Sequence, residues 1–144
     1  MKQEKSCGVI VFTRTESGVR YVLAQSRAGH YGFPKGHMEP GETEEETALR
    51  EVFEEVRLRP SLIEGFRETS EYDIPSLGVR KQAVFFLGYY ESQEIVPQET
   101  ELLRAHTASY EEAMRLLTHE DNRKLLTSAE FFLRTTGKDG IHVQ

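Results

Sequence analysis

Apolar residues along this chain follow two periods, and the places where the period changes mark its elements. The β-branched and apolar runs SCGVIVF (Ser6 to Phe12) and RYVLAQS (Arg20 to Ser26), joined by the polar TRTESGV, predict a hairpin. The segments SLIEGFRETSEY (Ser61 to Tyr72) and VRKQAVFFLGYY (Val79 to Tyr90) predict two long strands about the turn-forming DIPSLG, and LLRAHTA predicts one more. Helical spacing appears at Leu49, Val52, Phe53 and Val56, at i, i+3, i+4 and i+7, and again at Leu125, Leu126, Ala129, Phe132 and Leu133 within roughly Asn122 to Thr135. Between these, SYEEAMRLL starts on Ser109 with Glu112 three residues later, the pattern of a capping box. A Gly- and His-rich loop, RAGHYGFPKGHMEPGE, leads into the first helix. One helix inserted early and two late, around a run of strands, predict an α+β domain with a mixed sheet and helices on both faces.

Composition adds limits to this pattern. The 144 residues suit a single domain, residues 1–144, with 38% hydrophobic residues and interspersed charge as in a soluble globular chain. Cys7 is the only cysteine, so an intrachain disulfide is impossible and Cys7 is expected as a small buried strand residue. The apolar run Gly8 to Phe12 is too short for a signal segment and nothing approaches a membrane span, so a cytoplasmic protein is expected. No basic stripe with interleaved aromatics appears, which argues against a nucleic-acid duplex as partner.

Charge changes the picture more. The formal net charge is −6, and eight Glu against Arg50 and Arg57 between Glu39 and Leu58 account for all of it. Gly36 and Gly41 have the spacing of a phosphate-binding P-loop, yet Glu42 stands where that motif has its lysine. With Leu49, Val52, Phe53 and Val56 facing the core, Glu51, Glu54 and Glu55 are expected together on the opposite side, repelling one another and opposing the helix dipole. A solvated face would more comfortably mix in lysines. Oxygen donors without His or thiolate select magnesium, manganese or calcium, and magnesium completes its octahedron with water and substrate phosphates. The positive charge that the loop lacks would then come from a bound cation.

These residues carry a family resemblance. The Nudix box, G-x(5)-E-x(7)-R-E-U-x-E-E-x-G-U with U apolar, is matched over residues 36–58 by Gly36, Glu42, Arg50, Glu51, Val52, Glu54, Glu55 and Leu58, with Arg57 in place of the final Gly. That Gly serves a helix exit with φ > 0, so the exit is the feature put in question. The resemblance implies an α/β/α sandwich with a mixed central sheet and hydrolysis of a nucleoside diphosphate linked to another group. It also implies Mg2+, with Mn2+ as a substitute, held by Glu51, Glu54, Glu55 and the Gly36 carbonyl, with Glu51 a candidate base and Glu42 and Arg50 a structural ion pair. Such sites are commonly completed by a further loop Glu; PQETELLRAH offers Glu99 and Glu101, and Glu101 is favoured. Glu51, Glu55 and Glu101 are thus the expected catalytic carboxylates.

Outside the box, CGVIVF, PKGH, EGFRETSEY and RKQ are similar to the asymmetric diadenosine tetraphosphate hydrolases. That likeness implies Lys35 and His37 near the phosphates, Tyr72 stacked on adenine and Lys81 on the phosphate chain. Arg27, at the loop entrance, suits a phosphate contact. Arg104, Ala105 and His106 stand where those enzymes tend to carry a base-stacking aromatic, so His106 taking that role, weaker stacking, or another substrate are open. His30, His119 and His142 lack metal-ligand spacing and read as surface or core polar residues. The competing readings are a nucleoside triphosphate pyrophosphohydrolase and a non-catalytic nucleotide sensor; the intact Glu51, Glu54 and Glu55 speak against the sensor.

Overall fold

The computed structural model describes residues 1–140, and His142 lies outside them. Its strands are β1 (Lys2–Thr15), β2 (Gly18–Ser26), β3 (Tyr31–Gly32), β4 (Lys35–His37), β5 (Ser61–Leu62), β6 (Glu68–Ile74), β7 (Val79–Tyr89) and β8 (Leu102–Ala108). The helices are α1 (Glu44–Val56), α2 (Tyr110–Leu116) and α3 (Glu120–Thr136), with a 3-10 turn at Pro75–Leu77. The predicted hairpin forms as β1 and β2, closed at Thr15 and Gly18, and Ser109 and Glu112 complete the capping box of α2.

All strands join one mixed sheet, whose spine runs β3, β2, β1, β7, β5. β1 and β7 are parallel from Lys2 beside Val79 to Phe12 beside Tyr89. Along its other edge β1 changes partners, pairing with β4 through Ser6 to Gly8 and with β2 through Phe12 to Thr15. This splay opens the sheet edge where the Gly-rich loop enters.

Period-2 alternation sorts the sheet's side chains into two cores. Val9, Val11, Val84 and Phe86 pack with Ala48, Val52 and Val56 of α1, whereas Ile10, Phe12, Phe85 and Leu87 pack with α2 and α3 through Ala113, Leu126, Ala129 and Leu133. The result is the three-layer α/β/α sandwich expected. Among the described residues no helix is long and apolar enough to cross a membrane.

Three features depart from the sequence reading. The long strand expected over residues 61–72 is two pieces, because Gly65 takes φ 97° and breaks it between β5 and β6. The Gly-rich loop contains the short strands β3 and β4, too brief for any periodic signal. On α1 the buried stripe is Ala48, Val52 and Val56, with Phe53 half-buried beneath Arg59 (3.9 Å) and Arg57 (5.0 Å). The core face is therefore rotated toward Glu51 and Glu55, which flank it, and Glu54 alone points away to solvent.

Candidate active site

The site grows from the meeting of α1 with the Gly-rich loop. Thr43 caps α1, its hydroxyl accepting from the Glu46 N–H and its own N–H donating to the Glu46 carboxylate, so the helix starts at a fixed point. One turn in, Arg50 organises the acidic residues. Its Nε and Nη2 donate to the Glu42 carboxylate at 2.6 and 3.0 Å, its Nη1 to Glu51 at 2.7 Å and to Glu54 at 3.2 Å, and Nη2 also to the His37 carbonyl at 3.0 Å. The hydrogen bond from Arg50 is the first cause holding Glu42 near pKa 2. Arg50 thus pairs Glu42, Glu51 and Glu54 through one guanidinium, and the repulsion between Glu51 and Glu55, which it does not bond, remains.

Gly36 and Gly8 exist for close approach. A Cβ at Gly36 would lie 2.1 Å from the Glu51 carboxylate, and one at Gly8 would lie 2.2 Å from the Pro34 carbonyl oxygen and 2.6 Å from Lys35 Cβ. Backbone therefore reaches Glu51 from one side, while the Lys35 N–H donates to Glu55 Oε2 at 3.1 Å from the other. Glu55 lines a cavity of about 510 Å3. Burial first, then Glu51, with Glu101 also contributing, push its carboxyl up to about 8; burial likewise raises Glu51.

The same cavity gathers residues far apart in sequence. Tyr72, about half exposed on β6 opposite Lys81, stands on one side, and His30, His119 and Asn122 line another. His30 and His119 meet edge to face at 5.2 Å, and Ser70 donates to Asp121 at 3.0 Å across the mouth. The two histidines, expected as ordinary polar residues, belong to the cavity wall; no local signal near His119 could have shown it, because Tyr31 and Thr118 bring that segment in through paired hydrogen bonds. A smaller cavity of about 200 Å3 adjoins the first, sharing Lys35, Tyr72 and Ala83 and adding Gly36, His37 and Lys81. Lost hydration, then Lys81, lower the Lys35 ammonium below its ordinary range. Lys81 lies 3.7 Å from Glu4. His106 instead sits on β8 with Nε2 3.0 Å from the Tyr31 hydroxyl, away from the cavity lining.

Two further expectations meet the geometry differently. Arg27 does not reach toward the cavities: its guanidinium donates through Nε (2.9 Å) and Nη2 to the Glu99 carbonyl. Arg57 takes the left-handed conformation, φ 62° and ψ 24°, and its N–H donates to the Phe53 carbonyl at 3.0 Å. The helix exit that favours Gly is made here by an arginine, at the cost of some backbone strain.

Glu51, Glu55 and the Gly36 backbone fit a hard divalent cation. The donors are all oxygen, the Cβ-free cradle at Gly36 admits the Glu51 carboxylate, and half-buried Glu55 accepts from the Lys35 N–H with no cationic side chain bonded to it among the described residues. Among the described residues no group of three or more acidic, His or Cys side chains stands arranged to hold a metal ion.

Comparison with known proteins decides the family. The NUDIX domain model matches residues 2–129. The chain belongs to the Nudix family. A pig (Sus scrofa) bis(5'-nucleosyl)-tetraphosphatase of the asymmetrical type is 31% identical to this Nudix protein, over 90% of this chain and 95% of the relative. Its fold is similar to that of a C. elegans Ap4A hydrolase in a binary complex, with TM-score 0.83 and 23% identity over 92% of this chain and 98% of that one. The Nudix domain of Shewanella oneidensis NrtR complexed with ADP ribose is also similar, with TM-score 0.76 and 18% identity over 92% and 90% of the chains.

Proposed function

We propose that this Nudix protein is a divalent-cation-dependent hydrolase that cleaves diadenosine tetraphosphate to ATP and AMP. The observation that carries the reading is the pair of adjoining cavities with Glu55 in the lining of the larger. The volume of about 510 Å3 suits one nucleoside. The smaller cavity, lined by Lys35, His37 and Lys81, suits the anionic chain that continues from it. Tyr72 stands on the wall between them, and stacking a base on such a platform is worth roughly 1–3 kcal/mol. The 31% identity to a tetraphosphatase of this type supports the same substrate.

In this reading Glu51, Glu54 and Glu55 hold magnesium with the Gly36 carbonyl, Glu101 joins them from its turn, and manganese can substitute. For Glu51 and Glu54 this means exchanging their contact with Arg50. When bound, the cation lowers the pKa of water and neutralises charge on phosphate oxygens. Lys35 and Lys81 orient the chain so that one phosphorus faces the acidic side of the cavity. Glu51, the candidate base, takes the proton of the attacking water as a P–O bond forms, and the P–O bond to the leaving phosphate breaks on the far side. Glu42 and Arg50 keep the loop seated on α1 throughout.

A panel of diadenosine tetraphosphate, deoxynucleoside triphosphates and ADP-ribose, each with magnesium, tests the reading. Diadenosine tetraphosphate should show the highest kcat/KM. Faster turnover of the triphosphates would replace it with a pyrophosphohydrolase, and binding without turnover of any of them would replace it with a sensor.

A further inference from the structure

The turn that carries Glu101 is held from two sides. From α1, the carbonyls of Val56 and Glu55 accept from the N–H groups of Val96 (3.0 Å) and Gln98 (2.8 Å), so the segment is tied to the helical turn that bears Glu55. The Gln98 carbonyl then accepts from Glu101 and Leu102 at 3.1 and 2.9 Å, which closes the turn. From the sheet, the Arg27 N–H donates to the Glu101 carbonyl at 3.2 Å while its guanidinium forks onto the Glu99 carbonyl.

The strand register explains why Arg27 can do this. Gln25 pairs with Arg104 but Ser26 pairs with Leu102, so β8 has an extra residue, Leu103, whose side chain is left exposed. Such a bulge bends a strand and re-aims the residues beside it. Here it swings residues 98–101 across the end of β2, where Arg27 is the next residue. A guanidinium fork fixes a planar acceptor in direction as well as distance, which a lysine would not. Exposed Arg27 has no carboxylate partner among the described residues, so this contact is its structural attachment.

We propose that Arg27 is a positioning residue: it holds the 98–101 turn, whose Gln98 N–H is tied to the Glu55 carbonyl, so that Glu101 stays available to the cation site, and it does not bind the substrate phosphates. The inference rests on the reading of Glu101 as part of the cation site. It also separates two roles that a cation near an anionic substrate usually confuses. A phosphate contact acts on substrate binding, whereas a turn holder acts through Glu101 alone.

A double-mutant cycle distinguishes them. Arg27→Ala, Glu101→Gln and the double variant are compared for kcat and KM with diadenosine tetraphosphate at saturating magnesium, and for Mn2+ affinity by calorimetry without substrate. Glu101→Gln should lower kcat and Mn2+ affinity by about tenfold or more, in the range seen when metal-site supports are removed. Arg27→Ala, which removes the guanidinium fork but keeps the main-chain bonds of the turn, should lower both kcat and Mn2+ affinity by about threefold or more with KM within about twofold, and the double variant should be no worse than Glu101→Gln. If Arg27→Ala does not fold, Arg27→Gln, which keeps a single donor, takes its place in the cycle. A rise in KM with kcat intact, or losses that multiply in the double variant while Glu101→Gln alone is impaired, overturns the Arg27 role and leaves the site reading standing. Full kcat and Mn2+ affinity in Glu101→Gln overturns both.

Discussion

Glu55 joins two demands that oppose each other in water: it is half-buried, and the charges of Glu51 and Glu101 act on it. The folded cation-free protein answers by keeping a proton. With the carboxyl raised from 4.5 to about 8, the folded state holds a proton that the unfolded chain has released, so stability present below about pH 4.5 is lost as pH rises toward 8. Cation-free protein should therefore melt at progressively lower temperature across that window, and magnesium, by displacing the proton, should restore more stability at the alkaline end. Glu55→Gln keeps the shape without the charge, so it should remove both the pH slope and the magnesium gain and should lower turnover by on the order of 100-fold. Thermal melts at several pH values, with and without magnesium, check the slope; an unchanged slope in Glu55→Gln would assign it elsewhere. At this scale the sequence was informative where a local pattern fixes a partner, as Glu42 and Arg50 show with their forked contact. Arg27 was not legible, because its partner depends on the register of β8, a strand far along the chain.

Among the elements, α1 shows how a correct helix can be turned the wrong way. Large apolar residues, Leu49 and Phe53, drew the expected core face toward themselves, but small Ala48 with Val52 and Val56 makes the closer seat on the sheet. Phe53 instead lies under two guanidinium groups. Hairpin, the cap of α2, β8 and α3 were legible because each has either a period or a turn chemistry; β3 and β4 have neither. The close approach of β1 to the 34–35 backbone was equally silent in sequence, yet it positions β4 and with it the Gly36 cradle. Gly8→Ala tests that packing: its methyl would need the room of the Pro34 carbonyl. Overpacking of this kind costs typically 1–3 kcal/mol, which for a chain of this size is a fall in Tm of roughly 2–4 °C per kcal/mol. Calorimetric melting of Gly8→Ala should show such a fall, and an unchanged Tm would mean that β4 yields without cost.

At the scale of the molecule, the sandwich brings four distant segments to one edge of the sheet. The Gly-rich loop supplies Lys35 and His37, α1 the glutamates, β6 and β7 Tyr72 and Lys81, and the start of α3 a wall that no motif announced. The arrangement is one-sided: Glu55 lies at the larger cavity, and the cationic groups run from Lys35, shared by both cavities, into the smaller one with His37 and Lys81. A symmetric dinucleotide bound there has a single phosphorus beside Glu55, near one end of its chain. The most direct measurement is therefore chromatography of the products formed from diadenosine tetraphosphate with magnesium. Equal amounts of ATP and AMP are expected; two ADP per substrate, or no cleavage at all, would contradict the account.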